Sequence, residues 1–147
     1  MLLKGAGMKN KKAIEEVLNN YRYAKYQIES DNIFLKDIER GYLKSLKYDG
    51  LRVQNSNISN VTEDIAIKKE NAQMRIKRNT LYVKRIDTML DILNAEEKSL
   101  IKLKYLENTP KKNKEISLLL GIDYYKCIRI LNNAFCKIEE FLLLEEV

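Results

Sequence analysis

Proline occurs only once in this chain of 147 residues, at Pro110. Glycine occurs five times, and Lys, Glu, Leu and Ile are frequent throughout the sequence. No segment shows the alternation of apolar and polar residues that is typical of a half-buried strand. Because so few residues interrupt helices, the sequence predicts an all-α protein.

Residues 9–93 are predicted to form two long amphipathic helices joined by a polar linker at 48–61. In the first helix, apolar residues recur at alternating spacings of four and three, as in a coiled coil. This stripe consists of Ile14, Val17, Tyr21, Ala24, Ile28, Asp31, Leu35, Ile38 and Tyr42, with Asp31 as a polar exception. Thr62 is predicted to cap the second helix, since a hydroxyl can accept from free amides.

Two such helices can pair within one chain or between chains. We expect an antiparallel hairpin, and a homodimer through the same helices stays open. Residues 1–8 are expected to be disordered or to precede an alternative start at Met8.

The formal charge is +6, and the excess of basic residues is concentrated near the C-terminus. Lys98–Lys137 contains nine basic and three acidic residues, whereas Glu residues flank it on both sides. Such a cluster is the electrostatic pattern expected of a protein that contacts phosphates.

Several classes of function are disfavoured by residues that the sequence lacks. Histidine is absent, and Cys127 and Cys136 point to opposite faces of one predicted helix, so we expect no metal site and no cofactor. Without histidine or a Gly-rich phosphate loop, catalysis is not expected. No apolar run approaches the roughly 20 residues of a membrane span, so we expect a cytoplasmic protein.

Residues 94–147 are predicted to form a helix-turn-helix domain. Asn94 caps a first helix, and a short helix ends just before Gly121, which supplies a left-handed corner. Asp123 then caps a longer helix over residues 124–144. A short helix, a glycine corner and a longer helix in this order are typical of the helix-turn-helix motif.

The longer helix is predicted to divide into a buried and a free side. The buried stripe consists of Cys127, Ile130, Ala134 and Ile138. The short helix is expected to brace it with Ile116, Leu119 and Leu120.

The free side is predicted to enter the major groove of DNA. Arg and Asn are suited to bidentate contacts with guanine and adenine, and an apolar side chain can contact a thymine methyl group. The predicted DNA-binding residues on this helix are Tyr124, Tyr125, Lys126, Ile128, Arg129, Asn132, Asn133 and Lys137. Lys111, Lys112 and Lys114, at the front of the short helix, are predicted to contact phosphates. The alternative is a solvated polar helix face without a ligand.

Residues 93–142 resemble the fourth, promoter-recognising region of bacterial sigma factors. The resemblance rests on the opening LNAEEKSLIKLKY, on EISLLLGI, and on Ala134 with Lys137 and Ile138 near the end of the recognition helix. With its long preceding helices, the whole chain is similar to the ArpU/RinA-type phage late-gene regulators. The resemblance implies a phage-type transcriptional regulator that binds double-stranded DNA in a bacterial host, with RNA polymerase as a candidate second partner.

The sequence departs from the sigma pattern within the recognition helix. Asp123 replaces a hydroxyl cap, Tyr124 and Tyr125 replace charged residues, and Ile128 is apolar. We therefore expect a different target sequence. Tryptophan is absent and no aromatic cluster for melting promoters is present, so a self-sufficient sigma factor is not expected.

Two other functions remain as alternatives. A phage small terminase subunit would also combine a helix-turn-helix with oligomerising helices, but such proteins commonly place the DNA-binding unit first. A helical adaptor without DNA binding would account for residues 9–93 and leave the basic C-terminal region unexplained.

Overall fold

Every regular element in the described part of the chain is a helix, which confirms the all-α prediction. The computed structural model describes the backbone of residues 3–49 and 56–145, and the side chains of residues 10–41 and 62–143. In chain order the elements are α1 (Leu3–Asp49), α2 (Ser56–Leu90), α3 (Ala95–Ile101), a π-helical segment (Lys102–Leu106), α4 (Asn113–Leu120) and α5 (Tyr124–Glu145). Within the described residues, no helix combines the length and the apolar character that crossing a membrane requires.

The first helix begins earlier than the sequence predicts. α1 starts at Leu3, inside the segment 1–8 that was expected to be disordered or to precede an alternative start. Leu, Lys, Ala and Met in this segment have high helix propensity, which favours the extension, although each glycine costs about 1 kcal/mol.

The second helix also begins earlier than predicted. α2 starts at Ser56, so Thr62 lies inside the helix and is not its cap. The predicted linker 48–61 is therefore helical at both of its ends. Ile58 continues the apolar spacing of α2 by one more heptad, which favours this extension. The rest of the linker, residues 50–55, lies outside the described residues.

The chain forms two compact units. The first, which we call the end unit, consists of Met1–Tyr23 and Tyr82–Val147. Its buried core includes Ile14, Leu18, Tyr21, Ile86, Met89, Leu90, Leu93, Leu100, Ile101, Tyr105, Ile116, Cys127, Ile130, Leu131, Ala134, Phe135 and Ile138. Each described helix of this unit contributes to that core, which therefore fixes how α5 is held.

Tyrosine hydroxyls join the two long helices within the end unit. The Tyr21 hydroxyl on α1 donates to Asp87 Oδ1 on α2 at 2.7 Å. The Tyr82 hydroxyl on α2 donates to the carbonyl oxygen of Val17 on α1, also at 2.7 Å. Burial of the Tyr82 ring raises the pKa of its hydroxyl. These two hydrogen bonds join α1 to α2 within the end unit.

The second unit, Ala24–Leu81, is called the middle unit. Asp31, the polar exception in the predicted stripe, is buried here, and α1 continues through it without a break. Arg75 donates from Nε to Asp31 Oδ2 at 3.2 Å and from Nη2 to Oδ1 at 3.0 Å. Gln27 Nε2 adds a third hydrogen bond at 3.3 Å. The hydrogen bonds from Arg75 lower the pKa of Asp31, while burial of the carboxylate opposes this change.

Removing Arg75 alone is expected to destabilise the protein more than removing the pair. Arg75→Met leaves the buried Asp31 carboxylate without its cation, which should lower the free energy of unfolding. Asp31→Leu combined with Arg75→Met removes both groups and should recover most of that loss. Urea unfolding followed by circular dichroism measures both changes, with Lys36→Met as the control for an exposed cation. A double variant no more stable than the single one would contradict this account.

The same pair predicts how stability depends on pH. Because the pKa of Asp31 is lowered on folding, its contribution is complete above the usual aspartate pKa of about 3.9 and is lost as the pH falls through the folded value. In Arg75→Met, burial without a cation should raise the pKa of Asp31. The stability of this variant should therefore rise, not fall, as the pH drops through the raised pKa. The free energies of unfolding of the wild type and of Arg75→Met should therefore converge below about pH 4. A difference in the free energy of unfolding between the two proteins that stayed constant from pH 7 to pH 3 would be inconsistent with this linkage.

Candidate nucleic-acid interface

The helices that support the interface begin with a capped turn. Asn94 Oδ1 accepts a hydrogen bond from the backbone amide of Glu97 at 2.9 Å, so the predicted N-cap is confirmed. α3 then passes into the π-helical segment, which ends at Leu106. The amide of Glu107 closes this segment by donating to the carbonyl of Lys102 at 3.0 Å.

A tight turn connects α4 to α5. Gly121 has φ 65° and ψ 31°, the left-handed conformation that favours glycine. The amide of Ile122 donates to the Ser117 carbonyl at 3.2 Å, and Ser117 Oγ donates back to the Ile122 carbonyl at 2.5 Å. The Asp123 carbonyl then accepts from the Cys127 amide at 2.9 Å and starts the hydrogen-bond ladder of α5. These bonds determine where α5 begins and how it is rotated.

One side of α5 is buried in the end unit. The predicted stripe of Cys127, Ile130, Ala134 and Ile138 is buried along its whole length. Leu131 and Phe135, which the prediction left out, are buried as well. The Phe135 ring meets the buried Tyr105 ring edge-on, with 5.9 Å between centroids. This wider apolar face gives α5 two more buried positions that oppose rotation about its axis.

The opposite side of α5 is exposed where the sequence predicts it. Six of the predicted residues are exposed: Tyr124, Tyr125, Lys126, Arg129, Asn132 and Asn133. Ile128 is half-buried. The rings of Tyr124 and Tyr125 meet edge-on at 5.7 Å between centroids, and Tyr125 is 76% exposed. The two tyrosines thus form a small aromatic surface at the start of the helix.

A basic cleft lies beside this aromatic surface. It has a volume of about 580 Å³ and is lined by Lys104, Lys112, Asn113, Lys114, Glu115 and Tyr124. Lys112 and Lys114 are exposed, as predicted. Burial lowers the pKa of Lys104, and the nearby charge of Lys11 lowers it further. Four lining residues are ionisable in addition to Tyr124, and three of them are lysines, so this is a positive environment suited to an anionic group.

Lys137 and Lys111 are engaged within the chain. Lys137 Nζ lies 2.7 Å from Oε1 of Glu97, whose side chain is only 4% exposed. Lys111 Nζ lies 2.9 Å from Glu107 Oε2 and is half-buried. Lys137 therefore joins α5 to α3, because the buried carboxylate of Glu97 requires a cation. Both lysines were predicted to contact DNA together with the exposed residues. In the structure, each is instead held in an ion pair within the chain.

The predicted brace from α4 is wrong for two of its three residues. Ile116 is fully buried, but Leu119 is 60% exposed and Leu120 is 42% exposed. α4 is only eight residues long, and Ile116 is its one buried residue. Leu120 lies instead at the edge of an open groove with a volume of about 260 Å³, near Ile122 and Ile130.

The described residues hold no group of three or more His, Cys, Asp or Glu side chains that could bind a metal ion. Comparison of the chain with known protein families, with curated proteins and with solved structures finds no match.

Because Lys137 is paired with Glu97, replacing it should lower the stability of the protein rather than specifically lower its affinity for DNA. Lys137→Met leaves the buried Glu97 carboxylate unpaired and should cost about 1–3 kcal/mol of the free energy of unfolding. The exposed Lys114→Met should change it by less than about 0.5 kcal/mol. Urea unfolding measures both. Unchanged stability of Lys137→Met would show that the ion pair contributes little.

Proposed function

We propose that this chain is a sequence-specific transcriptional regulator that binds double-stranded DNA and places α5 in the major groove. One observation carries the proposal: α5 begins at a glycine corner, and its exposed side holds Lys126, Arg129, Asn132 and Asn133 opposite a continuous buried stripe. A helix held in this way can present several base-reading side chains without exposing apolar core.

The exposed residues of α5 suit the chemistry of base edges. Arg129 can donate two hydrogen bonds to O6 and N7 of guanine. Asn132 and Asn133 can each pair with N6 and N7 of adenine. These residues lie within the first three turns of α5, a length of roughly 15 Å, and a helix about 10–12 Å in diameter fits a major groove about 12 Å wide. Half-buried Ile128 offers an apolar contact between them.

The basic cleft supplies contacts to the DNA backbone. Lys112 and Lys114 are exposed beside Tyr124, and phosphate contacts of this kind set the orientation of a recognition helix. Tyrosine hydroxyls are also common phosphate donors. The negative charge of Asp123, just before α5, opposes phosphate binding, whereas the lysines of the cleft favour it.

The resemblance of residues 93–142 to the fourth region of sigma factors favours a role in transcription. The similarity to ArpU/RinA-type regulators makes late phage genes the proposed targets, with RNA polymerase as a further partner in the bacterial cytoplasm. On this proposal the protein regulates without catalysing a reaction.

Selection of bound fragments from random duplex DNA tests the proposal directly. A recovered consensus sequence is the expected result. Arg129→Ala should then lose about 1–3 kcal/mol of binding free energy at one base position and accept other bases there. Repeating the selection with this variant identifies that position. No binding of any duplex at low salt would leave the adaptor function as the better account.

Lys112→Ala should weaken binding to all duplexes alike. Loss of one phosphate contact reduces the slope of log K against log salt concentration by about 1. Lys12→Ala removes the same charge from an exposed position of α1 and serves as the matched control. Titrations at four salt concentrations, on the selected duplex and on a scrambled one, distinguish the loss of a phosphate contact from the loss of base recognition. If Arg129→Ala and Lys112→Ala weakened both duplexes equally, their assigned roles would be wrong.

A further inference from the structure

The outer face of α2 in the middle unit carries a row of exposed apolar side chains. Ile67 is 56% exposed, Met74 56% and Leu81 67%. They are seven residues apart, so they follow one another along nearly the same side of the helix. Ala72, which is fully buried, lies on roughly the opposite side from Met74, at about 100° per residue. The row therefore does not belong to the interior of this unit.

The charges beside this row change sign at Met74. Glu63, Asp64 and Glu70 precede it and are exposed, whereas the exposed Lys77 and Arg78 follow it. At about 100° per residue, Glu70 and Lys77 flank the row on one side and Arg78 on the other. The face thus has an acidic half and a basic half on either side of Met74.

We propose that this face binds the same face of a second copy of the chain, antiparallel, with the two-fold axis at Met74. In this arrangement Ile67 lies opposite Leu81 of the second copy, and Met74 lies opposite its counterpart. Glu70 then faces Lys77 of the second copy, because the two-fold axis brings the same flank of each helix together. The contact is isologous, since each copy presents the same patch.

The charge pattern decides the orientation of the two helices. A parallel pair would place Glu70 beside Glu70 and Lys77 beside Lys77, and like charges at such positions destabilise a helix pair. The antiparallel pair brings opposite charges together on both sides of the axis. The contact is a short one between single helices, so we expect a weak dimer with a dissociation constant on the order of micromolar.

Cysteine crosslinking tests the register. In a Cys136→Ser background, Met74→Cys should form a disulfide with its own copy. Ile67→Cys and Leu81→Cys chains of distinguishable size should crosslink when mixed, but neither should crosslink with itself. In the antiparallel pair, two copies of residue 67 are about 21 Å apart, beyond the reach of a disulfide. Self-crosslinking of Ile67→Cys that is as fast as the mixed reaction, or no crosslinking at all, would overturn the proposal.

Sedimentation equilibrium at protein concentrations from about 1 to several hundred micromolar measures the dissociation constant of the dimer. Met74→Glu places two carboxylates at the axis and should raise the dissociation constant at least roughly tenfold. Ile33→Glu changes an equally exposed apolar residue on α1 and is the matched control, expected to associate like the wild type. Circular dichroism should show unchanged helix content in both variants. A wild type that stays monomeric throughout, or an effect of Met74→Glu no larger than that of the control, would count against the interface.

Charge reversal separates electrostatic pairing from apolar contact. Glu70→Lys and Lys77→Glu should each weaken association, and combining them in one chain should restore it. Failure of the combined variant to recover would overturn the assigned pairing. None of these measurements involves DNA, so their outcome is independent of the proposed function.

Discussion

Burial of one side of α5 decides what its other side can do. Cys127, Ala134 and Ile138 are fully buried, so rotating the helix by one residue, about 100°, would bring polar side chains into the core. Burying such groups without partners costs several kcal/mol. Lys137, which is partly exposed, also opposes this rotation, because it neutralises the buried carboxylate of Glu97. The exposed face is therefore fixed by the core beneath it.

The middle unit relies on a polar contact where a coiled-coil stripe normally has an apolar one. A shift of α1 against α2 by one heptad would separate Asp31 from Arg75 and leave a buried carboxylate unpaired. An apolar residue at position 31 would tolerate that shift more readily. The ion pair therefore favours one register, and it also selects which side of α2 faces α1. The row containing Met74 is left outside as a consequence.

Local rules predicted some of the features that depend on neighbouring residues, although the cap predicted at Thr62 lies inside α2. The cap at Asn94 and the left-handed corner at Gly121 follow from backbone chemistry, and the buried stripe of α5 follows from helical spacing. Two ion pairs were missed because their partners lie far apart in the sequence: Arg75 is 44 residues from Asp31, and Lys137 is 40 residues from Glu97. No rule based on spacing identifies such partners before the packing of the helices is known.

The composition of the exposed face bears on how a groove-bound α5 would discriminate among sequences. With two lysines held in ion pairs, the exposed cations among the predicted contacts are Lys112, Lys114, Lys126 and Arg129. Each phosphate neutralised contributes about 0.9 to the salt dependence of binding, so these residues account for a slope of at most about 4. On the proposed function, such a modest electrostatic contribution would give weak binding to random DNA. Affinity for a target would then depend on Tyr125 and the polar residues of α5, which favours specificity over general attraction to polyanions.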